Sequence, residues 1–322
     1  MAVEIISAGL LTTVQDLGRQ GYQRFGVPVS GAMDAFALQA ANGLVGNPVD
    51  AAGLEITVAG PKLRLTRDCM IAVTGADLGL QVQGSRAPLW TALSISAGAT
   101  ITFEGHRSGC RAYLAVNGGI GVPQVMGSRA TCLDAAFGGF RGRAVRAGDI
   151  LPVGACPLEG ISRPGRSVPE HVRPRYDDSL IVRVIVGPQW DHFTERGLHT
   201  LTSSEYLVSS ASNRTGYRLV GPAIEARTAS DIVSDGIPLG AIQVPGDGQP
   251  ILMMADRPTT GGYAKIATVI SADIPLLAQL LPGVGRLRFE TTSIEVAQAV
   301  YRRQMTKLRE SVRMSQDCES PT

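Results

Sequence analysis

The sequence predicts a mainly β protein built from two domains. Short runs of apolar and β-branched residues, interrupted by glycine and proline, recur along most of the chain, which is the pattern of strands joined by tight turns. Glycine is abundant, with 38 residues, whereas aromatic residues make up only 5% of the chain. The 322 residues suffice for two separate cores, because one domain usually takes about 100 to 200 residues.

Charge, hydropathy and cysteine usage argue against a nucleic-acid-binding, membrane-spanning or secreted protein. The formal net charge is +2 and the basic residues are scattered, so nucleic-acid binding is disfavoured. No run approaches the roughly 18 apolar residues that span a bilayer, and the N-terminus lacks the basic and apolar regions of a secretory signal. The five cysteines are widely spaced and odd in number, which favours reduced thiols. We therefore expect a soluble, cytoplasmic protein.

The first predicted domain covers residues 1–154. Two short strands are expected around residues 12–16, followed by a glycine-rich loop. Asp34 then has the position of a helix N-cap, before an apolar stripe that ends near Leu44. A ligand-binding carboxylate is the alternative for Asp34. From residue 53 to 151 strand follows strand, a spacing that indicates a barrel or sandwich rather than alternating βα units.

Residues 155–178 contain four prolines and dense charge without an apolar period, so they are predicted to form a linker. The second domain is expected over residues 179–315. It would open with a buried strand and a helix, and it would end in a long helix capped by Thr292 and Glu295. Residues 316–322 are predicted to be a flexible tail.

One loop of the second domain concentrates reactive groups. Between Asp256 and Lys265 lie a guanidinium, two hydroxyls, two glycines and a phenol. Glycine allows positive φ and close approach to a ligand, and hydroxyls and amides supply donors, so the loop is predicted to bind a carboxylate or phosphate. Only three of the 30 basic residues are lysines. Lys265 therefore indicates a need for a compact, titratable ammonium; a surface lysine is the alternative.

Other loops also place polar groups beside glycine. In the first domain, residues 127–129 and 137–143 carry arginines next to glycines, a pattern that fits either an anion-binding turn or ordinary surface arginines. In the second domain, Asn213, Arg214 and Tyr217 crowd a glycine turn.

Several common functional motifs are absent from the sequence. There is no G-x-x-x-x-G-K-[ST] and no G-x-G-x-x-G between a strand and a helix. The four histidines do not have metal-ligand spacing, so no metal site is predicted. The nucleophile elbow G-x-S-x-G is also missing. A nucleotide would therefore bind at a non-standard site or at one shared with another chain.

Five segments resemble the KipA family, also called allophanate hydrolase subunit 2 or the biotin-dependent carboxyltransferase family. They are VQDLGRQGYQRFGVPVSGAMD, AVNGGIGVPQVMGSRAT, FGGFRGR, SNRTGYRLVGP and GAIQVPGDGQPILMMADRPTTGGYAKIATVIS. The resemblance extends from about residue 12 to residue 290. It implies two cyclophilin-like β-barrel domains with a few short helices and a C-terminal helix.

The resemblance also implies a function. Similar proteins are PxpC-like subunits of an ATP-dependent 5-oxoprolinase, which converts 5-oxoproline to glutamate. Such a subunit would be an amide (lactam) hydrolase component in a heteromer with a KipI/PxpB-type partner and a PxpA-type subunit, and inactive without its partner. ATP, with Mg, would occupy a site shared with the partner, and no biotin would be attached to this chain. The alternatives are a biotin-dependent carboxyltransferase subunit acting on a urea- or amide-like substrate, and a non-enzymatic KipA-type regulator.

The resemblance and the loop chemistry together suggest roles for individual residues. We expect Lys265 to contact an anion in catalysis, and Asp256 to act as a base or loop anchor. A structural ion pair between Asp256 and Arg257 is the alternative. The expected substrate-binding residues are Arg214, Tyr217, Thr259, Thr260, Gly261, Gly262 and Tyr263, and the expected cofactor-binding residues are Asn213 and Arg257.

Overall fold

A computed structural model describes residues 2–155, 163–227 and 231–313. The chain divides into two compact units. The first contains Met1–Arg19, Ser30–Arg175 and Gln304–Thr322, and the second contains Gln20–Val29 and Tyr176–Arg303.

The first unit is made of two antiparallel sheets and one helix. Its strands are β1 (Ala2–Ser7), β2 (Leu11–Gln15), β3 (Gly53–Thr57), β4 (Lys62–Leu65), β5 (Cys69–Asp77), β6 (Leu80–Val82), β7 (Ser85–Arg86), β8 (Ala92–Ile95), β9 (Thr100–Phe103), β10 (Ser108–Val116) and β11 (Ile150–Pro152). Six of them form a sheet in the order β11-β1-β4-β9-β6-β7, and five form a sheet in the order β2-β3-β10-β5-β8. Helix α1 (Ala35–Leu44) packs on β5 and β10.

The burial of these strands follows their sequence pattern. In β4, Lys62 and Arg64 are exposed while Leu63 and Leu65 are buried, because successive side chains point to opposite faces of a sheet. Central strands β5 and β10 are buried along almost their whole length, since α1 covers one face and the core covers the other. The predicted cap of α1 is confirmed, because the Ala37 amide donates to Asp34 Oδ1 at 2.8 Å.

The second unit contains a closed seven-stranded barrel. The strands of this unit are β12 (Ser179–Val186), β13 (Glu205–Val208), β14 (Gly216–Val220), β15 (Asp231–Gly236), β16 (Ala241–Gln243), β17 (Ile251–Met253), β18 (Thr260–Tyr263), β19 (Lys265–Val269) and β20 (Arg286–Thr291). The barrel order is β12-β19-β16-β17-β14-β13-β20, and β12 runs parallel to β20. Strands β15 and β18 form a separate two-stranded ribbon. The helices are α2 (Glu195–Ser203), α3 (Ile274–Leu277) and α4 (Ile294–Arg313), of which α4 belongs to this unit only as far as Arg303.

The mainly β class is confirmed, and barrel closure is seen in the second unit. The N-cap of α4 differs from the prediction, because the Val296 amide donates to Ser293 Oγ at 3.3 Å, so Ser293 rather than Thr292 caps the helix. Among the described residues, Cys69, Cys110 and Cys132 form no disulfide bond. Within the described ranges, no helix combines the length and apolar character that a membrane crossing requires.

The division of the chain differs from the predicted boundaries. Part of the predicted linker belongs to the first unit, since the Ala92 amide donates to the Arg166 carbonyl at 2.7 Å and Val168 is fully buried. Extended backbone with proline can still pair at a sheet edge, which composition alone does not reveal. Residues 156–162 of that linker and the predicted tail lie outside the described residues.

Candidate functional site

The loop predicted to bind an anion becomes a turn, the ribbon strand β18 and the start of β19. In the ribbon, Thr260 lies opposite Gly236 and Gly261 lies opposite Asp235. A Cβ at Gly261 would approach Ile237 Cδ1 to 2.6 Å. Positive φ is expected from the sequence at Gly261, but this glycine lies outside the left-handed region. A larger residue here would instead require the ends of the Ile237 and Gln243 side chains to shift.

Lys265 is buried, with 2% of its surface exposed, so the surface-lysine alternative is wrong. Its Nζ donates to Asp235 Oδ2 at 2.7 Å, and the side chain of Asp235 is 55% exposed. The Lys265 amide donates to Gln189 Oε1 at 3.1 Å. An ammonium has three donors, and only the one to Asp235 meets an acceptor within the described residues. Lys265 therefore places a buried positive charge beside a surface carboxylate. Two of its three N–H donors meet no acceptor within the described residues.

The ion pair between Lys265 and Asp235 predicts a pH effect. The hydrogen bond from Lys265 lowers the pKa of Asp235 from its ordinary value. A lowered acid pKa in the folded state means that the pair stabilises the fold above the unfolded-state pKa of about 3.9 and that this contribution is lost as pH falls through the folded pKa. We expect Asp235→Asn to have a lower Tm than wild type at pH 7 and the same Tm as wild type in strong acid. Thermal unfolding measured over a range of pH tests this expectation.

Asp231→Asn is the matched control for that experiment. Asp231 is an exposed carboxylate on the same strand and makes no ion pair within the described part of the chain. A loss of Tm at pH 7 as large in Asp231→Asn as in Asp235→Asn would show that total charge, rather than the contact with Lys265, is responsible.

Arg257 is a second buried cation of this unit, with 8% of its surface exposed. Its Nε donates to the Ile237 carbonyl at 2.9 Å and its Nη1 to the Met254 carbonyl at 3.4 Å. No carboxylate lies within ion-pair distance of it in the residues that the structure describes. Burial lowers the pKa of Arg257 to about 10, so the group stays cationic at neutral pH. A buried cation held only by carbonyls is favourable for an anionic ligand.

Arg214 and Asp256 form a bidentate buried pair. Arg214 Nε donates to Asp256 Oδ2 at 2.8 Å and Nη2 donates to Oδ1 at 3.1 Å. The alternative prediction of an ion pair between Asp256 and Arg257 is therefore wrong. Because both carboxylate oxygens accept from one guanidinium, the geometry favours Asp256 as a loop anchor rather than a base. The two chain segments also join through the Asp256 amide, which donates to the Arg214 carbonyl at 2.9 Å.

The remaining predicted residues differ in accessibility. Thr260 and Tyr263 are exposed on the ribbon, and Thr259 is half-buried. Tyr217 is fully buried, so its side chain offers no surface to a substrate in this unit, contrary to the substrate-binding role expected for it. Asn213 is exposed, and its Oδ1 accepts from the amides of Thr215 at 2.8 Å and Gly216 at 3.2 Å, which is the role of a turn residue.

Sequence reasoning misses three side chains of this region. The sequence marks Asp235 only as part of a turn with Gly236, and nothing in it singles out Gln189. Gln243 is buried, lies opposite Lys265 in the barrel, and donates from Nε2 to the Tyr263 carbonyl at 3.3 Å. A signal exists for Gln243 alone, since a polar residue in a short apolar strand usually has a partner.

The arginine-rich loops of the first unit are structural. Arg143 Nη1 and Nη2 donate to the two oxygens of Asp149 at 2.7 and 2.8 Å. Arg129 Nε donates to the Val122 carbonyl at 2.8 Å. These contacts favour the ordinary-arginine alternative over an anion-binding turn. Across the described residues, no three histidine, cysteine or acidic side chains form a group that could hold a metal ion.

Known proteins similar to this chain cover almost its whole length. Residues 25–291 match the family described as "Carboxyltransferase domain, subdomain A and B". A 5-oxoprolinase subunit of Escherichia coli K12 is 39% identical over 297 residues, which are 92% of this chain and 93% of that protein. The 5-oxoprolinase subunit of the same name in Haemophilus influenzae is 33% identical over 94% of both chains.

Solved structures agree with the sequence matches. The crystal structure of the urea amidolyase of K. lactis superposes with a TM-score of 0.91 at 31% identity, covering 96% of this chain and 20% of that one. This chain therefore matches about a fifth of the larger enzyme. With a family match over residues 25–291 and relatives of the same length, the chain belongs to the carboxyltransferase domain family, subdomains A and B.

Proposed function

We propose that this chain is a subunit of an ATP-dependent 5-oxoprolinase that converts 5-oxoproline to glutamate. The observation that carries the proposal is the buried cation Arg257, held by two backbone carbonyls without a carboxylate in the described residues. Lys265 adds a second buried cation in the same unit. The end-to-end similarity to two proteins named as 5-oxoprolinase subunits selects this reaction among those that need an anion site.

The chemistry of lactam opening explains why such cations are useful. A lactam amide is inert, and phosphorylation of its oxygen by ATP turns that oxygen into a leaving group. Water then attacks the same carbon, and the C–N bond breaks with protonation of the nitrogen, which gives γ-glutamyl phosphate. A second water displaces the phosphate and yields glutamate. Positive charge and N–H donors placed in advance stabilise the charge that develops during such steps.

The residues fit this assignment in a specific way. Arg257 and Lys265 would balance phosphate or carboxylate charge. The exposed ribbon, with the Thr260 hydroxyl and Tyr263, would hold the substrate. Arg214 would act indirectly, since its pair with Asp256 fixes the chain segment that carries Arg257. ATP, with Mg²⁺ as its counter-ion, would bind at a site completed by another protein of the complex.

We further propose that activity requires a KipI/PxpB-type partner and a PxpA-type subunit. The supporting observations are the word "subunit" in the names of the relatives and the absence of a phosphate-binding fingerprint from this sequence. The purified chain alone is expected to show no 5-oxoproline-dependent ATP hydrolysis, and addition of the partner subunits should restore it. Release of phosphate and glutamate is the measurement. Robust turnover by this chain alone would contradict the shared site.

The second candidate is a carboxyltransferase subunit that moves a carboxyl group from biotin to a urea- or amide-like substrate. The observation in its favour is the TM-score of 0.91 to the urea carboxylase of Kluyveromyces lactis. None of the three lysines lies between methionines, so the biotin would be carried by another protein. A carboxybiotin assay run beside the ATP assay separates the two functions.

A further inference from the structure

The barrel of the second unit has a cavity of about 650 Å³ at one end. It lies where β12 and β20 end and β19 begins, under helix α2. The residues that line it are Val184, Val186, Trp190, Leu198, His199, Leu201, Thr202, Ile266, Ala267, Phe289, Glu290 and Thr291. The buried cations described above, Arg214, Arg257 and Lys265, are not among these lining residues.

The cavity has an apolar floor and a polar rim. Val184, Leu201 and Ile266 are at most 2% exposed. At the rim, Trp190 is 50% exposed and Glu290 is exposed. Small-molecule sites of proteins are typically concave, about 300 to 1,000 Å³ in volume and mostly apolar with a few polar groups, and mouths of β-barrels are common places for them. Volume, lining and position all match that description.

Charge decides which ligands suit the cavity. Among its lining residues, Glu290 is the only carboxylate, His199 is the only imidazole, and no lysine or arginine is present. Arg183 lies opposite Glu290 in the pairing of β12 with β20 and interacts with its charge, but it does not line the cavity. Its Nη2 and Nε donate to Asp273 at 2.6 and 3.0 Å. An anion entering the cavity would meet the carboxylate of Glu290 without a lysine or arginine among the lining residues.

We propose that this cavity binds a small uncharged or cationic molecule that has an apolar ring or chain and a hydrogen-bond donor. The apolar part lies on the floor formed by Val184, Ile266 and Ala267, and the donor faces Glu290. Trp190 covers the ring at the rim. Neither Arg257 nor Lys265 lines this cavity, and the proposal does not depend on the identity of the reaction.

Two fluorescent probes that differ in one charged group test the proposal. N-phenyl-1-naphthylamine is neutral and has one N–H donor, and 8-anilino-1-naphthalenesulfonate adds a sulfonate to the same scaffold. The neutral probe is expected to bind saturably to the full chain with energy transfer from Trp190. The sulfonate is expected to bind about tenfold more weakly. Equal binding of both probes, or no saturable binding of the neutral one, overturns the proposal.

Variants locate the probe. Ala267→Leu fills the floor and should weaken binding of the neutral probe about tenfold or more. Trp190→Phe should remove the energy transfer but keep binding, which remains informative if Ala267→Leu does not fold. Glu290→Lys should raise sulfonate affinity about tenfold. Val233→Ser, at an apolar side chain that is 92% exposed on the ribbon, is the control and should leave the binding of both probes unchanged.

The same titration on the complex with the partner subunits distinguishes a small-molecule site from a protein interface. Retention of the neutral probe in the complex supports the proposal. Loss of the probe on addition of the partner would overturn it, because the cavity would then be covered by protein.

Discussion

Replacement of Lys265 by methionine is expected to lower the activity of the reconstituted complex by about 10²-fold or more, the scale of losing one electrostatic contact to developing charge. Methionine retains the apolar stem that is buried in the barrel and removes only the ammonium. Its former partner Asp235 is 55% exposed and stays hydrated, so the fold should survive. The measurements are 5-oxoproline-dependent phosphate release and Tm.

Two further variants are needed to interpret the loss of activity in Lys265→Met. Lys265→Arg should recover only part of the activity, because a guanidinium is wider and differs in donor geometry from an ammonium. Lys307→Met is the matched control, since Lys307 is exposed on α4. Activity of Lys265→Met within about twofold of wild type would show that the reaction does not need the ammonium and that Lys265 serves only its ion pair with Asp235.

Replacement of Arg214 by methionine is expected to reduce the free energy of unfolding by about 3–5 kcal/mol, the usual cost of breaking a buried ion pair. The reason is that Asp256, with a side chain only 3% exposed, would keep its charge without a counter-ion. Urea denaturation of the two proteins measures the difference. The double variant Arg214→Met with Asp256→Leu should recover much of the loss, because no uncompensated charge remains.

Arg257→Met is the matched control for Arg214→Met, because the two arginines are buried to a similar degree in the same unit. Removal of Arg257 loses hydrogen bonds to two carbonyls, each worth about 1 kcal/mol. It also removes a desolvation cost of about 3 kcal/mol, given the lowering of the pKa to about 10. We therefore expect little change in stability but a large loss of activity.

Equal destabilisation by Arg257→Met and Arg214→Met would contradict the anion site. It would mean that Arg257 is needed for folding and that its backbone contacts are its main role. Loss of activity with retained stability would instead be typical of a functional residue that is kept at a cost to the fold.

Local sequence patterns predicted most elements of the fold. The succession of strands predicted for residues 53–151 is observed, and β4 shows the underlying pattern, because Leu63 and Leu65 are buried while Lys62 and Arg64 are exposed. Asp34 was correctly predicted as a cap because N-cap chemistry acts over three residues, from Asp34 to Ala37. The linker was less predictable. Whether its backbone pairs with another strand depends on which edge lies nearby, and Val168 became part of the first unit.

The sequence by itself determined that the chain is rich in strands and that the segment from Asp256 to Lys265 concentrates polar groups. Only the tertiary structure decided which charges meet. Lys265 pairs with Asp235, and Arg214 pairs with Asp256 across 42 positions. The physical reason is that turns, caps and alternation are set by neighbours along the chain. The partner of a buried charge is instead set by which strands the barrel places side by side.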